Sequence, residues 1–255
     1  MLVDSHCHLD RIDLTPYKNR FENFVLAAKR SEIGHMLCIS IDLEAFPDMC
    51  KLVDSFDNIS ITVGVHPNVT EGHDPTVDEL IALAHQNQAV GIGETGLDYF
   101  RSEGDLSWQQ ERFRTHIRAA RKCGKPLVIH SRDAKDDTLR LLKEEDAGEV
   151  GGVIHCFTED WEMAKNAMDL NFHISFSGIV TFKNAATVQE AAKKLPEDRL
   201  LIETDSPYLA PVPFRGKPNY PIYVRHVAEC VAGLRGQSLN HIRDVTENNY
   251  FSLFG

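Results

Sequence analysis

No run in this 255-residue chain approaches the roughly 20 successive apolar residues that a membrane-spanning helix needs. The N-terminus carries no basic segment followed by a long apolar one, so no secretory leader is expected. The six cysteines (Cys7, Cys38, Cys50, Cys123, Cys156, Cys230) include no Cys-x-x-Cys pair. This argues against a disulfide framework and for a reduced, soluble, cytoplasmic protein. Positive charge is scarce: 27 Lys and Arg against 38 Asp and Glu leave a net charge of -11. A protein that coats DNA or RNA without sequence preference is thereby disfavoured, because such binding rests on clustered basic residues. An enzyme that draws one strand end into a metal-lined pocket is not. Nor is there a stripe of interleaved aromatic and basic residues of the kind that tracks a single strand. No linker, repeat or low-complexity stretch divides the chain, although Pro207 to Pro221 is a long proline-rich loop. A single domain over 1-255 is expected, at the usual size of an eight-stranded α/β barrel.

Metal-ligating side chains, in contrast, recur at one kind of place. Leu2-Val3-Asp4-Ser5-His6-Cys7-His8 begins as a buried strand and ends in two histidines one residue apart. Residues two apart on a strand share a face, so both imidazoles can reach one ion. Four more apolar runs end in a potential ligand. Ala89 to Gly93 leads into Glu94, Pro126 to Ile129 into His130, Gly152 to Ile154 into His155, and Leu200 to Thr204 into Asp205. Imidazole and carboxylate suit zinc, manganese and related divalent ions, and carboxylate also suits magnesium. Every candidate follows its run and none precedes it.

Three further runs, Met36 to Ile41, Ile59 to Val65 and Phe172 to Phe176, bring the predicted strands to eight. Their near-continuous aliphatic content predicts parallel strands covered on both faces. Between them lie helical patterns over Asp74 to His85, Ser107 to Cys123, Phe157 to Leu170 and Asn184 to Leu195, with two closing helices at Asn219 to Leu234 and Ser238 to Phe254. Ser107-x-x-Gln110 reads as a capping box, and Pro75 as a first helical residue. The order predicts an α/β fold, a TIM-like (β/α)8 barrel with an additional C-terminal helix. In a barrel all carboxyl ends of the strands converge on one rim, so His6, His8, Glu94, His130, His155 and Asp205 should meet there.

The segments Val3 to His8, Gly64-Val65-His66-Pro67, Gly91 to Tyr99, His155-Cys156-Phe157 and Glu203 to Tyr208 resemble the signatures of TatD-type metal-dependent hydrolases, almost end to end. The chain looks closest to the YcfH branch of that family, and its wider pattern is similar to amidohydrolase-type barrels. The resemblance implies two divalent ions (magnesium, manganese or zinc) and phosphodiesterase activity, in relatives a 3′-to-5′ DNA exonuclease. It implies that His6, His8 and Asp205 bind one metal, that His130 and His155 bind a second, and that Glu94 bridges them. Asp205 is also the expected general base. His66 is expected at a phosphate or the leaving oxygen, Glu203 behind the ligands or as a supplementary one, and Arg132, Arg215 and Lys217 as phosphate contacts.

Ordinary roles account for much of the rest. His35, His73, His85, His116, His226 and His241 read as surface or packing residues, as does His173 inside a strand. Cys7 and Cys156 adjoin ligands, but alternation aims their thiols away, so both read as packing residues. The leading expectation is a phosphodiesterase acting on DNA ends or another phosphodiester, with no membrane and no obligate protein partner. The competing expectations are a two-metal hydrolase of a small amide, lactone or phosphoester, and a non-catalytic metal-binding protein.

Overall fold

The computed structural model describes residues 1–255, in which the short apolar runs form eight strands. They are β1 (Leu2–Cys7), β2 (Ile33–Cys38), β3 (Ile59–Val63), β4 (Gly91–Asp98), β5 (Leu127–Arg132), β6 (Gly152–Ile154), β7 (Phe172–Phe176) and β8 (Leu200–Ile202). All neighbours pair in sequence order and in parallel. The ring closes where Cys7 bridges Ser206, with the Asp205 N–H donating to His6 O at 2.9 Å and the His8 N–H to Ser206 O at 2.8 Å. This is the expected TIM-like barrel.

Helices α1 (Phe21–Arg30), α2 (Phe46–Val53), α3 (Val77–Gln86), α4 (Ser107–Cys123), α5 (Lys135–Glu144), α6 (Trp161–Asp169), α7 (Ala186–Lys194) and α8 (Val224–Arg235) connect and surround the strands, and α9 (Leu239–Phe254) is the extra C-terminal helix. Their apolar faces and the outer face of the sheet form a core cluster of 54 buried residues. A second cluster, Val3, Leu37, Ile39, Val128, Val153 and Leu201 with Tyr250 and Phe254 of α9, fills the inside of the barrel.

That inner cluster places the site. On β5 and just past β6 and β8, the residue two positions beyond Val128, Val153 and Leu201 is His130, His155 and Glu203. Strand alternation therefore sets a polar layer directly above an apolar floor. β4 is irregular between Ile92 and Thr95, so Ile92 joins the outer cluster while Glu94 points inward. Its glycines have a steric reason: a Cβ on Gly96 (φ +128°) would lie 2.0 Å from His130 O, so only glycine lets β4 and β5 approach this closely.

Helix starts depart from the sequence reading. Ser107 is the first helical residue of α4 and caps nothing; its N–H is held by Asp105 at 2.9 Å. The capping box belongs to α3, where Thr76 and Glu79 bond reciprocally, and Pro75 precedes that cap. α6 starts at Trp161 behind an Asp160 cap, and α8 at Val224, both later than the apolar pattern indicates. No helix is long and apolar enough to cross a membrane.

Candidate metal centre

Glu94 lies at the middle of the polar layer, 2% exposed, with its two oxygens facing different partners. Oε2 is 3.3 Å from His6 Nε2 and 3.8 Å from His8 Nε2. Those two nitrogens are 3.4 Å apart, and Asp205 Oδ1 stands 3.6 and 3.4 Å from them. Oε1 faces His155 Nε2 at 2.9 Å, His130 Nδ1 at 3.1 Å and His66 Nε2 at 3.3 Å. Two donor sets thus share one carboxylate. His66, expected at the substrate, stands as close to Glu94 as the expected ligands do.

Three of these rings donate from the nitrogen turned away from Glu94. His130 Nε2–H donates to Asp98 at 3.1 Å, His155 Nδ1–H to Glu203 Oε1 at 3.2 Å, and His8 Nδ1–H to Ile39 O at 3.1 Å. Each bond fixes ring orientation and leaves the other nitrogen's lone pair facing inward, the arrangement of metal-ligating histidines. Glu203 also accepts from the Cys156 N–H at 2.8 Å. It therefore stands behind His155.

Electrostatics keep the carboxylates charged. Burial pushes Glu94 up, but His155, His66 and His130 outweigh it and hold its carboxyl well below the usual range. Burial opposes ionisation of Asp205 as well, and the His8 hydrogen bond with the His6 and His155 charges still lowers its pKa. His8 and His130 are raised despite burial, His8 chiefly by Asp205 and His130 chiefly by Asp98. Burial, with His155 beside it, lowers His6.

The donors fit divalent ions. Spacings of 3.3–3.8 Å around His6, His8, Glu94 and Asp205 match the roughly 3.3 Å between ligands of a tetrahedral ion with bonds of about 2.0 Å. His6 Nδ1 and Glu203 Oε2 are buried without any hydrogen-bond partner, uncommon in a finished interior. His6–His8–Asp205, His66–Glu94–His130 and His6–His155–Glu203 each bring their donor atoms within 4.8 Å of one another.

Above the donors opens a cavity of about 630 Å³, walled in part by Asn68, Arg101, Arg132 and Tyr208. Arg132 lines it as expected. Arg215 and Lys217 do not line it: Phe214 stacks on Tyr223 with ring centroids 4.1 Å apart, which ties this part of the loop down beside α8. Cys156 corrects the alternation argument. β6 stops at Ile154, Cys156 turns left-handed (φ 44°), and the residue joins the cavity wall. Burial raises its thiol well above the usual range, with Asp205 and Glu203 adding to the shift.

Sequence reading missed several supporting residues. Asp98 holds His130 and accepts from Asn68 Nδ2 at 2.7 Å; its position four residues after Glu94 on one strand was the available signal. Asp4 accepts from the Thr204 N–H at 2.8 Å and stitches β1 to the chain after β8. Nothing local in the sequence marks Arg101 or Asn68.

The family model described as TatD related DNase matches residues 3–255. The uncharacterized metal-dependent hydrolase YcfH of Escherichia coli (strain K12) is 46% identical over 254 residues, covering 99% of this chain and 95% of that protein. The uncharacterized metal-dependent hydrolase YabD of Bacillus subtilis (strain 168) is 39% identical over 257 residues, covering 100% and 99%. Among solved structures, the TatD homolog YjjV from Escherichia coli K12 superposes with a TM-score of 0.89 at 26% identity, covering 99% and 97%. An organophosphorus hydrolase from Deinococcus radiodurans shares the fold (TM-score 0.68, 15% identity, covering 100% and 93%). With an eight-stranded barrel, His, Glu and Asp side chains able to hold metal gathered at its strand ends and a family match along nearly its whole length, this chain belongs to the TatD family of metal-dependent hydrolases.

Proposed function

We propose that the protein is a two-metal phosphodiesterase that removes nucleotides from the 3′ ends of DNA. The carrying observation is the divided environment of Glu94, one oxygen facing His6 and His8 and the other facing His155, His130 and His66. His6, His8 and Asp205 would hold one ion and His130 and His155 a second, with Glu94 common to both, while His66, whose Nδ1 accepts the Asn68 N–H at 3.0 Å, is left to donate from Nε2; magnesium, manganese or zinc suits these donors. When bound, such a pair supplies a water of lowered pKa and neutralises phosphodiester charge.

The chain's own residues supply the rest. Asp205 is kept ionised, so its carboxylate can accept the proton of the attacking water. Arg132 and Arg101 line the cavity and offer N–H donors to non-bridging phosphate oxygens. Attack forms a new P–O bond and breaks the bond to the 3′ oxygen of the penultimate nucleotide. The products are a 5′-mononucleotide and a strand shortened by one. The family's description as a DNase supports this choice of substrate.

The test is metal-free protein given a 5′-labelled single-stranded oligonucleotide with magnesium, manganese or zinc in turn, beside Asp205→Asn. A metal-dependent ladder shortening from the 3′ end and lost by at least 100-fold in Asp205→Asn is expected. Intact DNA with every ion, alongside hydrolysis of a small ester or amide, would replace the substrate. Binding of two ions without turnover of either class would leave a non-catalytic metal protein.

A further inference from the structure

Fifteen arginines occur in the chain, and most spend their guanidinium N–H groups on carboxylates or carbonyls. Arg112, for example, bonds Asp74, His66 O and Val69 O, and Arg118 forks onto Glu145. Four make no ion pair and no side-chain hydrogen bond: Arg30 at the end of α1, and Arg101, Arg132 and Arg215, which lie near the mouth of the metal cavity or a recess that joins it. Two of them rest on phenylalanine rings: Arg132 lies 4.0 Å from the Phe100 centroid and Arg215 4.2 Å from that of Phe182. A ring under a guanidinium holds it flat without consuming its hydrogen-bond donors. Such a pair offers a stacking surface together with N–H groups for a phosphate.

The two pairs flank the metal centre. Phe100 follows β4 and Arg132 ends β5, whereas Phe182 follows β7 and Arg215 follows β8; β4 and β8 are half the barrel's circumference apart. Their settings differ. Phe100 is 60% exposed and open to solvent. Phe182 is half-buried in a recess of about 230 Å³ whose walls include Thr158 and Ile179, residues that also line the metal cavity. That volume falls short of the roughly 300 Å³ at which separate ligand sites begin. The recess is therefore an annex of the metal cavity, sized for a single ring system.

We propose that these pairs are nucleotide platforms. Arg215 on Phe182 receives the base of the 3′-terminal nucleotide, and Arg132 on Phe100 receives the penultimate nucleotide and the strand behind it. The proposal rests on the exonuclease reading above and assigns it the residues that recognise a single-stranded end. It also explains how so acidic a chain attracts a polyanion: a few unpaired arginines at the rim do what a general basic surface does elsewhere.

The experiment uses the manganese-loaded enzyme and three single-stranded DNA oligonucleotides: one intact, one lacking the 3′-terminal base and one lacking the penultimate base (stable abasic residues). Bis(p-nitrophenyl) phosphate serves as a small diester. For the wild type, removing either base is expected to lower kcat/KM on the order of tenfold, the scale of one lost stacked base. Phe182→Ala should abolish the penalty for the missing terminal base, and Phe100→Ala that for the missing penultimate base, with Phe100→Tyr restoring it. Because Phe182 is half-buried, Arg215→Ala and a melting curve accompany its variant. A wild type indifferent to both missing bases overturns the proposal. So do variants that lose the same factor on every oligonucleotide and on the small diester. If the small diester is hydrolysed and DNA is not, the exonuclease reading fails by itself. The platforms are then decided by fluorescence anisotropy with the intact oligonucleotide, where a Kd that does not weaken in Phe100→Ala overturns them.

Discussion

Asp98 shows how much a single carboxylate behind the donors controls. It holds His130 through Nε2 while the other ring nitrogen faces Glu94. Loss of such an orienting partner typically costs 10- to 100-fold in metal affinity or activity. Asp98→Asn is therefore expected to weaken manganese binding by about that factor in a competition titration with a metallochromic indicator; unchanged affinity would remove Asp98 from the site. His116 acts at a distance. It is fully buried in α4, accepts the Val65 N–H on Nε2 at 3.0 Å and donates from Nδ1 to Arg112 O at 2.8 Å. Burial pushes its pKa down to about 4, whereas an unfolded histidine titrates near 6.5. Between those values the unfolded chain binds more protons, so stability is full above pH 6.5 and falls as the pH drops toward 4. One such site contributes at most about 1.4 kcal/mol per pH unit. Urea midpoints measured across this window should fall less steeply in His116→Gln, which keeps an acceptor for Val65. Parallel slopes would count against the assignment.

At the scale of elements, the segment between β3 and α3 carries His66 and Asn68 into the site and is fastened by α4. Arg112, 8% exposed, donates to His66 O at 3.1 Å and to Val69 O at 2.7 Å, and its guanidinium lies over Trp108. Removing a buried charged donor costs about 2–3 kcal/mol and leaves Val69 O unpaired, while His66 O keeps the Val69 N–H at 3.0 Å. Arg112→Ala should lower urea-derived stability by that amount and reduce turnover through His66. Arg112→Lys should recover little, since a lysine has no second nitrogen for Asp74, which the arginine meets through Nε, and no planar group to lie over Trp108. Wild-type turnover in a destabilised Arg112→Ala would separate the loop from the chemistry. Strands were easier to read than helices for a local reason. A parallel strand covered on both faces must be apolar along its length, as Phe172–Phe176 largely is. A helix start is set by one capping hydrogen bond, and Ser107 and Thr76 present similar sequence signals although only Thr76 caps. The strand ends at β4 and β5 ran past their predicted limits because polar residues such as Glu94 and His130 stay in the ladder when the barrel interior receives them.

For the whole molecule, the barrel joins a stable apolar floor to an unfinished polar layer. Val128, Val153 and Leu201, backed by Tyr250 and Phe254, supply the floor; the layer above holds orphaned His6 Nδ1 and Glu203 Oε2. An ion that binds only the folded state stabilises it by about 2.7 kcal/mol at 100 times its Kd. For a chain of this size that corresponds to a Tm rise of roughly 5–10 °C. Chelated protein should therefore melt lower than protein given manganese or zinc, and Glu94→Gln should lose most of the difference. A Tm indifferent to metal would mean that the donors are not a metal centre.

The sequence by itself determined the strand count, the parallel barrel and the set of side chains that end its strands, because alternation and apolar continuity are local properties of the chain. His6 and His8 were legible as a pair for the same reason, being two residues apart on one strand. The family resemblance implied a shared Glu94, but only the tertiary structure decided which oxygen faces which histidines, the approach of His66 to it, the support of His130 by Asp98 and the seating of Arg215 on Phe182. Each of these joins residues from different strands or loops, and their distances are set by barrel closure and by the steric allowance of glycines such as Gly96. No local pattern in the chain encodes those distances.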